Sequence, residues 1–369
     1  MRVLIVSPDP ISASGGGSLI AQELGQALPF ETLHVRPSRD DHAALAGERL
    51  FGRTLLASYL PPSRGYVARI GRILDEFTPD VLHAHGFGHP VIHAAIRLAR
   101  ARDLPIVLTV HGVSKAEHLP WPFRASLSWY HCQASVVLEM VHTLTCPSAN
   151  VAADLRRYTS RVPVVTPWGV QVPSRVQPRS DAIFPKLITV GRLAPLRHVE
   201  TLIDAMVIIR REWPDATLDV IGPDASRRYG ARLRSLVETR RLAGVVRLLG
   251  PLPRQRSLGI VSQASVYVSA AVQETYGLAL LEAALLGVPC VVTDRGIAPE
   301  IIEAPSGRLV AAYGTPSEFA SAVQTLLGNY HLAAHDAILR SQELAARFDW
   351  AKTVSRYAEL LSDAAADRI

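Results

Sequence analysis

The chain has 369 residues, 48% of them hydrophobic and 20% charged, a balance that supplies a large core and excludes a disordered or fibrous protein. At roughly 100 to 200 residues per domain, the length favours two domains. Cys132, Cys146 and Cys290 are odd in number and widely spaced, which argues against a disulfide framework or a structural zinc and fits a reducing cytoplasm. The net charge is +6, and all basic residues except Lys115, Lys186 and Lys352 are arginine. These arginines are scattered rather than clustered, so no nucleic-acid footprint is expected.

In chain order, Val3 to Val6 reads as a first buried strand, and its apolar run is too short for a signal peptide. Nothing later reaches the roughly 18 apolar residues of a membrane span. Ser18 to Leu28, Gly65 to Phe77, Val91 to Arg102 and Ser148 to Tyr158 have helical periodicity. Val81 to His83, Pro105 to Val110 and Val162 to Thr166 read as the intervening strands. This alternation predicts a doubly wound α/β domain over residues 1–170.

The proline-marked stretch Pro173 to Pro185 reads as a linker. Alternation then restarts with strand Leu187 to Val190, helix Val199 to Arg211, and strands Thr217 to Ile221, Val245 to Leu248, Ser265 to Val268 and Pro289 to Val292. A second Rossmann-like domain is therefore expected over residues 171–349. The amphipathic segment Trp350 to Ala365 carries Val354, Tyr357, Ala358, Leu361 and Ala365 on one side and is expected to pack back on the first domain.

A nicotinamide enzyme would need Gly-x-Gly-x-x-Gly after a strand, and that spacing is absent. Ser14-Gly15-Gly16-Gly17-Ser18 instead opens the first helix, where bare backbone at a positive helix end suits either a plain turn or approach to a phosphate or sugar. Glu274-Thr275-Tyr276-Gly277-Leu278-Ala279-Leu280-Leu281-Glu282 places two carboxylates eight positions apart. On one helix they would stand about 80° out of register, so they read as a loop residue and a helix residue. Leu278, Glu282 and Leu286 share a helical row, so Glu282 should be largely buried and needs donors, either an arginine or the hydroxyls of a ligand such as ribose. Arg192 and Arg197 flank the end of the strand Leu187 to Val190. Beside a helix start at Gly277, they describe a diphosphate pocket.

Other features have plainer readings. His111 follows the run Ile106 to Val110, which places it at the carboxyl end of a strand, where α/β proteins bind ligands. His83 and His85 read as structural, with His85 also placed to reach a cleft. Arg64 to Phe77 could lie on an anionic membrane, but a core helix with a solvated face is preferred. The aromatics of Leu119 to Tyr130 suit a wall of an acceptor site or a hydrophobic cover. No Asp-x-Asp occurs, so no carboxylate cluster is at hand to place a metal on a diphosphate.

Taken in order, Gly15-Gly16, Val110-His111-Gly112, Val190-Gly191-Arg192-Leu193, the Glu274 to Glu282 pair and Gly287-Val288-Pro289-Cys290-Val291-Val292 resemble the family-four retaining glycosyltransferases of the GT-B fold. Asp80-Val81-Leu82-His83-Ala84-His85-Gly86 and Thr145-Cys146-Pro147-Ser148 also match family habits, so the resemblance covers nearly the whole chain. It implies two Rossmann-like domains facing a central cleft, with the acceptor on the first and a nucleoside diphosphate sugar on the second. Arg192 and Arg197 would hold the diphosphate and Glu282 the ribose. Glu274 and the amides of Tyr276, Gly277 and Leu278 would face the donor sugar, with His111 opposite. Gly16 would let the first loop approach the phosphates and acceptor.

Two departures stand out. Arg197-His198 replaces the family's usual lysine and glycine, turning a point charge into a fork. Pro167-Trp168-Gly169-Val170 replaces the common Pro-Asn-Gly-Val. The expected activity is sugar transfer from a nucleotide-sugar donor to a small-molecule, glycan or lipid-linked acceptor, with retention, no metal and no further cofactor. Peripheral membrane contact is not favoured. A sugar-nucleotide epimerase or hydrolase on the same fold, or a non-catalytic carbohydrate-binding relative, is the competing reading.

Overall fold

The computed structural model describes residues 1–8, 16–38, 48–52, 62–113, 123–172 and 185–367. The expected linker over 173–184, Gly15 and the aromatic stretch over 119–122 lie outside the described residues. The chain divides into two compact units, Met1–Gly169 with Trp350–Ile369, and Val170–Asp349.

The first unit runs β1 (Arg2–Val6), α1 (Gly16–Ala27), β2 (Glu31–Ser38), β3 (Glu48–Gly52), α2 (Arg64–Phe77), β4 (Val81–His85), α3 (Pro90–Arg100), β5 (Ile106–Thr109), α4 (Phe123–Cys132), α5 (Ala134–Glu139), β6 (Thr143–Cys146), α6 (Ala149–Leu155) and β7 (Val164–Val165). Its sheet is parallel, in the order β3-β2-β1-β4-β5-β6-β7. A parallel sheet covered by helices on both faces needs nearly continuous apolar strands. Accordingly Val3 to Val6 are fully buried. Strand β4 is buried throughout yet contains His83 and His85, so both imidazoles must find partners inside.

Helix α2 is capped by the Ser63 hydroxyl, which accepts from the Tyr66 amide, and buries Tyr66, Ile70, Ile73 and Leu74. It is a core helix whose Arg69 and Arg72 remain exposed.

The second unit runs β8 (Lys186–Val190), a 3-10 turn (Pro195–Arg197), α7 (Val199–Glu212), β9 (Thr217–Ile221), α8 (Arg227–Thr239), β10 (Val246–Gly250), α9 (Arg254–Ser262), β11 (Val266–Ser269), α10 (Leu278–Leu285), β12 (Cys290–Thr293), α11 (Ala298–Ile301), β13 (Gly307–Val310), α12 (Pro316–Gly328) and α13 (Tyr330–Arg347). Its parallel sheet has the order β10-β9-β8-β11-β12-β13. The chain then returns to the first unit as α14 (Trp350–Ala366), which packs on β4 and β5.

Strands β2, β3, β6 and β13 escape the sequence reading, and β4 continues two residues further, to His85. The polar residues His34, His83, His85, Thr143 and Thr145 interrupt the apolar signal of these strands. In both sheets the strand order reverses at one place, between β1 and β4 and between β8 and β11. The crevice beyond the carboxyl ends at such a reversal is where open α/β sheets bind ligands.

Candidate active site

In the first unit, histidines gather at the carboxyl ends of β4 and β5. His85 Nδ1 lies 3.0 Å from His111 Nε2, with the two rings within 18° of parallel. His83 packs on His85 with ring centroids 4.0 Å apart, and its Nε2 lies 2.8 Å from the Thr109 hydroxyl. Thr109 meets Thr145 at 2.9 Å and donates to the Tyr357 hydroxyl of α14 at 3.5 Å. Trp168 is fully buried; its indole N–H donates to the same Tyr357 oxygen at 3.3 Å, and its ring lies 4.9 Å from that of His111. The tryptophan that departs from the family pattern is therefore part of the packing behind His111.

Burial disfavours the imidazolium form throughout this group. It holds His83 and His111 down to about 3 and pushes His85 well below its ordinary value, with repulsion among neighbouring imidazoles adding to the effect. His111 is thus a neutral imidazole. Its other face meets the start of α1, where a Cβ on Gly17 would stand 2.8 Å from His111 Cγ and 3.0 Å from Nδ1. Among the glycines of this turn, Gly17 makes the close approach, while Gly16 is exposed.

In the second unit, Gly191 and Arg192 leave β8, and the 3-10 turn brings Arg197 back beside them: a Cβ on Gly191 would lie 3.5 Å from the Arg197 guanidinium carbon. Arg197 donates to the Glu274 carboxylate, which comes from the loop after β11. The negative charge of Glu274 raises the pKa of Arg197 above its ordinary value. Residue 198 follows in the left-handed region, at φ 45°, a conformation that favours glycine and that His198 occupies here.

Tyr276 is buried, and its carbonyl accepts from the Ile297 amide at 2.8 Å. Gly277 turns the chain into α10 at φ 105° and brings no side chain to cap the helix. The helix therefore begins at Leu278 with backbone N–H groups that lack intrahelical partners, beside Arg197 and Glu274.

Glu282 pairs with Arg254. It sits on α10 with its side chain 14% exposed, and Arg254 Nε donates to it at 2.8 Å. The donor is an arginine, one of the two kinds the apolar row demanded. Arg254 also donates to the Gln171 carbonyl at 3.0 Å. Sequence reasoning missed Arg254, although its place at the first position of α9, shortly after a strand of the same sheet, was available as a signal. Among the described residues, no group of three or more His, Cys, Asp or Glu is placed to hold a metal ion.

Comparison with known proteins bears on this arrangement. Residues 15–172 match the model described as Glycosyltransferase Family 4, and residues 184–329 match Glycosyl transferases group 1. The glycogen synthase of Mycobacterium tuberculosis is 26% identical over 340 residues, covering 88% of this chain and 79% of that protein. The sucrose-phosphate synthase structure from Thermosynechococcus elongatus superposes with a TM-score of 0.80 at 18% identity, covering 100% of both chains. HepE from Anabaena, solved in complex with UDP, superposes at 0.77 and 19% identity, covering 98% of this chain and 100% of that one.

Two Rossmann-like units in one chain, each with polar residues gathered at the carboxyl ends of its strands, make this a protein of the GT-B class. The family models span most of its length. The chain belongs to the family-four glycosyltransferases, and it is a sugar-transferring enzyme.

Proposed function

We propose that the protein is a retaining, metal-independent glycosyltransferase whose second unit holds a nucleoside diphosphate sugar and whose first unit takes the acceptor. The observation that carries this reading is the grouping of Arg197, Glu274 and the uncapped start of α10 at one sheet end. Breaking a sugar–phosphate bond builds negative charge on the departing diphosphate. Fixed cations and helix-end amides aimed at that charge stabilise the transition state more than the ground state.

In this reading Arg192 and Arg197 hold the diphosphate, and Glu274 with the Tyr276, Gly277 and Leu278 amides faces the sugar. Glu282 accepts from the ribose while keeping Arg254. His111 serves the sugar and Gly16 the phosphates and acceptor, the roles proposed for the first unit. Because the arginines and helix end already neutralise the leaving group, no metal is required. The departing phosphate accepts the acceptor's proton in a front-face substitution, and the anomeric configuration is retained. HepE, whose structure contains UDP, and the glycogen synthase relative support a nucleotide-sugar donor.

The test begins with thermal shifts of the full chain against UDP, GDP, ADP and dTDP sugars, since a ligand that binds only the folded state raises apparent stability. With the donor that shifts the melt, the product anomer is read by NMR, with and without excess EDTA. An inverted product sinks the retaining assignment. Loss of activity in EDTA, restored only by magnesium or manganese, sinks the metal-free one.

A further inference from the structure

We propose that His85 is a positioning residue that holds His111 in a single tautomer and a single ring orientation. The proposal deepens the reading of His111 as a donor-facing residue and rests on it.

His85 Nδ1 and His111 Nε2 are 3.0 Å apart, so one of them carries the proton of that bond and the other is bare. Each ring is neutral in this buried setting and owns one proton. The two outer nitrogens, His85 Nε2 and His111 Nδ1, are therefore complementary: one is an N–H and the other a lone pair. Both are buried, and neither has a hydrogen-bond partner among the described residues. The tautomer of His111 is thereby coupled to that of His85: a proton on His85 Nδ1 leaves His111 Nδ1 a donor, and a bare His85 Nδ1 leaves it an acceptor.

Orientation is fixed by the same neighbours. The His85 ring is fully buried and packs at a tilt against His83, which is anchored to Thr109. His111 is held between that bond, the Trp168 ring and the backbone at Gly17. A ring flip of His111 would replace Nε2 with a carbon opposite His85 Nδ1 and break the one polar contact the ring has within this unit's described residues. A neutral imidazole with a set tautomer can present one polar group of known sign to a sugar hydroxyl; an unset one divides its population between two.

Ring-nitrogen NMR of the full chain, labelled with 15N-histidine, tests this without any ligand. In the wild type the two His111 nitrogens should differ widely in shift, one protonated and one bare, unchanged from pH 8 to pH 6. In His85→Phe they should move toward each other as the tautomers mix. Asparagine carries its amide where His85 has Nδ1, whereas glutamine carries it where His85 has Nε2. His85→Asn should therefore restore the wide separation and His85→Gln should not, which keeps the test open if the phenylalanine variant fails to fold.

With the sugar nucleotide found by the thermal-shift panel, His85→Phe should lower kcat by about 10- to 100-fold, by analogy with loss of the outer partner of a metal-ligating histidine, while the donor KM stays within about threefold. Added to His111→Phe, it should cost nothing further. Unchanged His111 shifts in folded His85→Phe overturn the proposal. If His111→Phe is inactive but His85→Phe turns over normally, the proposal fails and the reading of His111 stands. Wild-type turnover in His111→Phe removes both.

Discussion

The Arg197 guanidinium and the Glu274 carboxylate, 77 positions apart in the chain, are bonded to each other at the mouth of the second sheet. One side chain suits a phosphate and the other a sugar hydroxyl, and without substrate each compensates the other's charge. Arg197→Ala therefore removes a cation and also leaves Glu274, 20% exposed, without its partner. Turnover should fall by about 100- to 1,000-fold, the usual cost of losing a transition-state donor, and by more than the donor's dissociation constant rises. Arg197→Lys should recover much of the loss, since a point charge still meets a phosphate. Steady-state kinetics on the folded variants decide this. Near-normal turnover in Arg197→Ala would remove the residue from the mechanism.

Glu282 and Arg254 make a second pair on neighbouring helices. Glu282→Gln keeps the shape and an acceptor for Arg254 but loses the charge that strengthens a bond from ribose. The variant should fold, and its affinity for the nucleoside diphosphate should drop about tenfold, or about 1.4 kcal/mol. Titration calorimetry measures it. Unchanged affinity would leave Glu282 as the structural partner of Arg254 alone.

Gly17 is where the start of α1 meets His111. A methyl there would overlap an imidazole already held by His85 and Trp168, so Gly17→Ala must push the ring or the helix aside. Overpacking of this kind costs about 1–3 kcal/mol, visible as a lower melting temperature. Turnover should fall about 100-fold, as a displacement near 1 Å can cause, with nucleoside diphosphate affinity unchanged. Wild-type turnover would show that His111 has room the geometry denies it.

His34, bonded to Ser7 at 2.8 Å, joins His83 and His111 in being held down to about 3 by burial. Above pH 6.5 these imidazoles are neutral in both folded and unfolded chains and add no slope. As the pH falls from 6.5 toward 3, the unfolded chain takes up protons that the folded unit refuses, so stability drops by up to about 1.4 kcal/mol per pH unit for each histidine. Denaturant midpoints should be level between pH 8 and 7 and fall from pH 6 to 4. His83→Gln keeps a partner for Thr109 and removes one titrating group, so its slope should be shallower. An identical slope would mean that His83 takes no part in the loss.

Much of the fold is legible in the sequence because parallel strands buried on both faces must be apolar and the helices covering them must be amphipathic. That requirement alone marks β1, β5, β8, β9, β11 and β12, the helices α1, α2 and α7, and the restart of the pattern after the linker. It also places Glu282 on a helix, Glu274 in a loop, and Arg192, Arg197 and His111 beyond strand ends, since those positions depend only on local order. The pairings depend on which strands lie side by side, and periodicity carries no such information. Arg197 meets Glu274 because β8 and β11 are neighbours at the strand-order reversal. His111 meets His85 because β4 and β5 pair side by side, and it meets Gly17 because α1 starts beside them. Tyr357 closes on Trp168 and Thr109 because the last helix returns to the first sheet. Residue types and local order were set by the sequence; which charge neutralises which, and which imidazole fixes which, was decided by the packing of segments far apart in the chain.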